Sequence, residues 1–333
     1  MSPRDELERL AVVEELQTAL KKAQQKLAKR EEDRAALVEA VYRAAREAAL
    51  ALKTPKPIRA ERDKRAKKAE VAVIHATDWQ LGKKSHSYDV ETCARRIETF
   101  AAKVLRITEI QRKDHPVREA VLMLGGDMVE GIDIFPGQAW EVEAFLFEQL
   151  FETVRIIEQL VRTLSADFET VRVVCEYGNH GRIGRFGVMP KGDNLDLMAY
   201  KIAQDRTRDL GVSWQMSDDF YQHFTIGNYR ALLVHGDEIR SFGGTPIFAI
   251  IKKFTGWASG VVPAWDEAFM GHYHTPLDLT IPSGANVYVT GSPESGNRYA
   301  AESLAAQGRP SQRLHFVDPE KGQTTARFTV WLD

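Results

Sequence analysis

From residue 71 onward, short apolar runs alternate with longer stretches of mixed character. The runs occupy residues 71–76, 121–124, 171–175, 231–234 and 268–270. Their length and β-branched content predict buried strands. Helices are expected between them, at about 90–111, 140–164 and 195–209. Further strands are expected near Thr280 and over 287–290, 314–317 and 326–332. Strands that alternate with helices early and cluster late indicate an α/β domain with a mixed sheet or sheets.

Upstream the pattern changes. Residues 4–52 hold no Gly or Pro and are rich in Ala, Leu, Glu, Lys, Arg and Gln, a long-helix composition. Val13, Leu16, Leu20, Ala23 and Leu27 repeat at spacings of three and four, and Leu37, Val41, Ala44 and Ala48 resume that phase. This seam suits a coiled coil or helical hairpin, broken at Arg30 and Arg34. Such an arm either packs on its own globular domain or joins copies of the chain into a homo-oligomer. Pro55 and Pro57 stop the helix. Residues 53–70 carry eight Lys/Arg against three acids, a net +5. A solvated linker accounts for them; contact with a phosphate backbone is the sharper reading. The expected organisation is an arm at 1–52, a basic linker at 53–70 and a catalytic domain at 71–333.

Composition narrows the setting. The 333 residues are 44% hydrophobic and 28% charged, with net charge -2, so no overall polycation advertises nucleic acid. Cys93 and Cys175 stand far apart, which argues against a disulfide framework and for a reducing compartment. The charged N-terminus lacks a secretory h-region, and no apolar run reaches membrane-spanning length. A soluble, cytoplasmic protein is expected, with no membrane partner.

The chemistry lies where the apolar runs end. Each is followed by a turn bearing Asp, Asn or His, most of them flanked by Gly: Asp78, Asp127, Asn179 with His180, His235, then His272 and His274. Ligands bind at the carboxyl ends of strands in open α/β sheets. Carboxylates, an amide oxygen and imidazoles form a donor set for Mn²⁺, Zn²⁺ or Fe. A lone Asp after a strand is ordinarily a helix cap, but five such turns in succession are not explained that way.

Asp78-Trp79-Gln80, Gly126-Asp127, Gly178-Asn179-His180-Gly181, His235 and Gly271-His272-Tyr273-His274 follow one another in the order of the blocks of the calcineurin-like metallophosphoesterases, which the chain resembles over about residues 71–295. The resemblance implies a metallophosphoesterase β-sandwich flanked by helices, here preceded by the helical arm. It implies two divalent cations, Mn²⁺ foremost, with Mg²⁺, Zn²⁺ or Fe as alternatives. Asp78 and His274 would hold the first, Asn179, His235 and His272 the second, and Asp127 would bridge both. His180 would protonate the leaving oxygen or stabilise charge. Gln80 stands where the family usually has His, so the first site is expected to be weaker, whether or not Gln80 ligates. Gly181 replaces a common acid, so His180 needs another partner. Arg182, Arg185 and Lys191 are candidate grips on substrate phosphate.

Residues 74–82 and Gly291-Ser292-Pro293-Glu294-Ser295 are similar to segments of SbcD-type DNA repair nucleases. Gly126–Gly131, with Pro136-Gly137-Gln138, is similar to the exonuclease subunit of archaeal D-family DNA polymerase. DNA is therefore the expected partner and a DNA exo- or endonuclease the leading expectation, in a compact form that suits a phage-encoded enzyme. A phosphodiesterase or phosphomonoesterase acting on nucleotides or other small molecules, and a degenerate non-catalytic scaffold, are the alternatives.

Overall fold

A computed structural model describes residues 34–52, 65, 68–135, 137–184, 190–240, 246–295 and 308–333, together with the single residues 22, 26 and 29. The upstream half of the predicted seam, nearly all of the basic linker, Pro136 and Arg185 lie outside the described residues.

The contacts divide the chain into two units, Met1–Leu52 and Lys53–Asp333. In the first, residues 34–51 form helix α1. Ala45 and Ala49 are its buried positions, whereas Leu37 of the predicted seam is 63% exposed and Ala44 and Ala48 are exposed too. The covered face is thus offset by one residue from the seam.

The second unit contains two sheets. The first runs β11-β10-β1-β2-β3-β4, from β1 (Glu70–Ala76), β2 (Val117–Leu124), β3 (Thr170–Cys175), β4 (Ser213–Met216), β10 (Ser311–Asp318) and β11 (Gln323–Trp331). Strands β1 to β4 are parallel neighbours, and β10 joins β1 antiparallel. The second runs β5-β6-β7-β9-β8, from β5 (Gln222–Ile226), β6 (Tyr229–Leu233), β7 (Glu267–Met270), β8 (Leu277–Thr280) and β9 (Asn286–Val289). Here β6, β7 and β9 are parallel neighbours.

The sheets face each other across one core. Val73, Met123 and Val174 of the first share a cluster with Phe224, Leu233 and Phe269 of the second. Alternation along β6 puts Ala231 and Leu233 into that core. Leu232 turns to the outer face, joining Ile250 and Phe254 of α5 (Ile247–Gly256). Helices α2 (Val90–Gln111), α3 (Leu146–Asp167) and α4 (Leu195–Arg206) belong to the first sheet's half, α2 reaching β11 and α3 reaching β3. The result is the expected mixed α/β sandwich flanked by helices.

Two elements differ from expectation. Helix α3 starts at Leu146 rather than near 140, because Gln138–Trp140 forms a separate 3-10 turn and Glu148 turns back to accept the Phe145 N–H at 2.8 Å. Helix α5 was not expected; its run of apolar residues shows little polar alternation. Cys93 and Cys175 are buried and unbridged. Among the described residues, no helix is long and apolar enough to cross a membrane.

Candidate active site

The parallel strands deliver their chemistry through unusual backbone. Asp78, Gln80, Asp127, His272 and His274 all have positive φ, between 43° and 68°; among the described residues Lys68 is the one other non-glycine to do so. A left-handed residue of this kind costs about 1–3 kcal/mol and tends to gather at functional sites. Glycines admit the close approach: a Cβ on Gly271 would overlap the Asp78 carboxylate, and one on Gly178 that of Asp127.

One cluster forms where β2, β3, β6 and β7 end. His235 Nε2 lies 3.1 Å from Asp127 Oδ2, 3.3 Å from Asn179 Oδ1 and 3.3 Å from His272 Nδ1. The donor atoms of Asp127, His235 and His272 all fall within 4.8 Å of one another, close enough to hold a metal ion. His235 Nδ1 donates to the Gly125 carbonyl at 2.9 Å, which aims Nε2 inward. Burial disfavours charge on His235, but the Asp127 carboxylate holds its pKa well above the usual histidine range. Burial and the charge of His235 push His272 down to about 4. Burial opposes ionisation of Asp127, yet His235 and His180 hold it below the usual carboxylate range. A carboxylate oxygen, an amide oxygen and a neutral imidazole therefore converge on a single His235 proton. A divalent cation satisfies all four donor atoms at once, so this donor set fits a metal.

His180 stands at the edge of this cluster. Its Nε2 is 4.0 Å from Asp127 Oδ2, and its backbone N–H donates to Asp127 Oδ1 at 2.7 Å. The partner sought for its ring is Glu130, three residues after Asp127. His180 Nδ1 lies 2.7 Å from the Glu130 carbonyl and 3.4 Å from its fully buried carboxylate. Burial works against charge here, but Asp127 and Glu130 carry His180 up to about 9. Gln138 braces the pair by donating to the Glu130 carbonyl at 2.7 Å and its carboxylate at 2.9 Å. Gly181 has a steric reason: a side chain there would run into Asn194 Oδ1, which caps α4 by accepting the Asp196 N–H.

A second cluster forms at the end of β1. The Asp78 oxygens accept the His272 N–H at 2.9 and 3.0 Å, and Oδ1 lies 3.5 Å from His274 Nε2. His274 Nδ1 is 3.1 Å from Glu294, whose other oxygen is 2.8 Å from Lys83. Lys83 also donates to Gln80 Oε1 at 3.3 Å. Burial opposes charge on both partners of the imidazole–carboxylate pair. Even so, Asp78 and Glu294 raise His274 to about 10, while His274 and Lys83 hold Glu294 down to about 2.

Asp196, at the start of α4, joins the turns. It is fully buried and accepts the N–H groups of Asp127, Met128, Val129 and Gly178 at 2.9 to 3.3 Å. Burial and the nearby Asp127 push it up to about 6. Arg182 donates through both terminal nitrogens, to the carbonyls of Asn179 at 3.3 Å and Ile134 at 3.0 Å. It therefore ties two site loops together, and only its buried Nε lacks a partner. Lys191 is exposed.

Sequence reasoning missed Glu130, Gln138, Lys83, Glu294 and Asp196 as site residues. Glu130 stood three residues after the predicted ligand Asp127, and Glu294 stood inside the quoted Gly291–Ser295 segment; those placements were the available signal.

No family model and no curated protein matches the sequence. Among solved structures, Vps29 from Entamoeba histolytica, complexed with Zn²⁺, is 12% identical, with 79% of this chain and 99% of that one covered at a TM-score of 0.37. The 5'-nucleotidase from Candida albicans is 12% identical over 84% of this chain and 54% of its own, with a TM-score of 0.36. The phosphopantetheinyl hydrolase from Mycobacterium tuberculosis is 12% identical over 68% and 91%, at 0.29.

Proposed function

We propose that this chain is a metal-dependent phosphoesterase of the calcineurin-like superfamily, cleaving phosphodiesters and foremost those of DNA. The observation that carries it is the convergence of Asp127, Asn179, His235 and His272 on one buried point, with His180 at its edge. In this reading those four residues hold one divalent cation, and Asp78 and His274, with Asp127 shared, hold a second; Mn²⁺ is the ion we favour. Such cations lower the pKa of water and neutralise charge on a phosphoryl group. Asp127 supplies the shared anionic oxygen. Gly125 and Glu294 fix the rings of His235 and His274 through their other nitrogens. His180, held at Nδ1 by Glu130, gives its Nε2 proton to the leaving oxygen.

Nucleic acid is favoured by exposed aromatic residues in the segment that follows Gln138. Trp140, Phe145 and Phe147 are 92%, 71% and 53% exposed, just after the Gln138 that braces Glu130. Phe135 lies edge-on to His180, ring centroids 6.3 Å apart. Aromatic faces stack successive bases without regard to sequence. The test is a substrate panel of single- and double-stranded DNA, mononucleotides and bis-p-nitrophenyl phosphate, each with Mn²⁺, Mg²⁺ or EDTA. EDTA-sensitive DNA cleavage is expected. Brisk monoester turnover without DNA cleavage overturns the nuclease reading. No turnover of anything overturns the enzyme.

A further inference from the structure

The cluster at the end of β1 contains a residue the metal reading leaves without a defined task. Gln80 stands where the resemblance puts a histidine ligand. It is 3% exposed and held in a left-handed turn by its N–H to the Asp127 carbonyl at 2.9 Å. Lys83 closes that turn, its own N–H bonding the Gln80 carbonyl at 3.1 Å. The Lys83 side chain folds back through the interior, 7% exposed, and reaches Gln80 Oε1 at 3.3 Å and Glu294 at 2.8 Å. An ammonium only donates, so the Gln80 atom facing it is the amide oxygen. That is the one atom through which a glutamine could ligate a hard cation. The other end of the amide, Nε2, faces His180 Nε2 at 3.4 Å.

We propose that Gln80 is not a metal ligand but a positioning residue for His180, set by the buried Lys83–Glu294 pair. The first cation position is then furnished by Asp78, Asp127 and His274 alone. This rests on the metallophosphoesterase reading above for the cations and for the task of His180. Lys83 acts in two directions from one point. Through Gln80 it holds an amide N–H against His180 Nε2, a donor which that nitrogen accepts once it has given up its proton. Through Glu294 it fixes the carboxylate that orients His274. The proton-delivering residue and the first-site imidazole are thereby referenced to the same ammonium. The histidine of the family pattern is replaced by a glutamine–lysine unit that spends its oxygen internally.

The experiment is a titration of metal-stripped protein with Mn²⁺ by calorimetry, comparing the full chain with Gln80→Ala and, as a control for a true ligand, His274→Ala. Gln80→Ala is expected to bind the same number of ions with each Kd within about threefold of the parent, whereas His274→Ala weakens one step about tenfold or more. On bis-p-nitrophenyl phosphate, Gln80→Ala is expected to lose about tenfold in kcat with KM little changed, as for a group that acts only during the reaction. The double variant Lys83→Met/Glu294→Gln removes the clamp without stranding a charge and is expected to show a similar kcat loss with Gln80 intact. A tenfold weakening of an Mn²⁺ step by Gln80→Ala overturns the proposal and makes Gln80 a ligand. An unchanged kcat in the double variant overturns the role of Lys83. The titration reads out whether or not any phosphoester turns over, so failure of the enzyme reading is separable from failure of this one.

Discussion

The two halves of the site solve the same electrostatic problem in opposite ways. Around Asp127, His235 and His272, oxygen and nitrogen lone pairs face one another across little more than 3 Å with one His235 proton between them. Around Asp78 and His274, the chain supplies its own cation: Lys83 neutralises Glu294, and Glu294 holds a charged His274 against Asp78. The first arrangement is poorly satisfied without an external ion, since buried polar groups facing one another without bridging hydrogens are costly. The second is largely satisfied already. Binding strength at such positions thus depends on what the donors do when the ion is away, as well as on the donors themselves.

The largest effect expected is at the residue common to both halves. Asp127→Ala removes the shared oxygen and leaves His235 without its carboxylate, so ion binding should fall at both positions. Several kcal/mol of transition-state stabilisation go with it, a loss of about a thousandfold or more in kcat/KM. Steady-state rates together with metal content by mass spectrometry check this; loss of one ion alone would show that the halves are independent. Next in size is His180→Ala. A positioned proton donor is worth about 10²–10⁴-fold, so kcat should drop by that range. Metal content should stay near the parent's, because the close contact from His180 to the ligand Asp127 is its backbone N–H, which the substitution keeps. Loss of an ion would make His180 part of the metal cluster and blur the line between the halves.

How much of this was legible in the sequence depends on how local each signal is. Strands β1 and β2 could be read because each is covered on both faces, and their apolar runs are nearly unbroken. The ligand turns could be read because Asp, Asn and His directly after such runs have few structural alternatives. Glu130, Lys83, Glu294 and Asp196 could not be assigned roles, since Glu, Lys and Asp are surface residues by default. Their burial at 0 to 5% exposure arises from contacts 3 to 211 residues away along the chain. The role of Gly181 was hidden for the same reason. It appears as a missing acid until Asn194 is placed against it. Arg182 was read as a candidate grip on substrate phosphate, and nothing local announces that the carbonyls of Asn179 and Ile134 take its two terminal nitrogens.

The smallest effect is the most direct measure of the contrast, and it is read from protons. In the metal-free protein His274 titrates at about 10 and His235 well above its usual range, so both are protonated near neutrality. An imidazole must lose its proton to ligate, so each ion that binds releases protons. Calorimetric titration with Mn²⁺ at pH 7, in two buffers of different ionisation enthalpy, should show release of about one to two protons per chain, and affinity that rises with pH. Stability should run the opposite way in the stripped protein. The raised pKa of His274 contributes stability that is complete below about 6.5, its unfolded value, and is lost as pH climbs toward 10. The depressed Glu294 contributes above about 4.5 and loses that contribution as pH falls toward 2. With EDTA present, the melting temperature should therefore decline by a few degrees between pH 6.5 and 9, while with Mn²⁺ it should hold or rise, a difference of ~1 kcal/mol being enough to see. If the two curves run parallel, His274 is already neutral without metal. The Asp78–His274 half would then be as dependent on an ion as the Asp127–His235–His272 half.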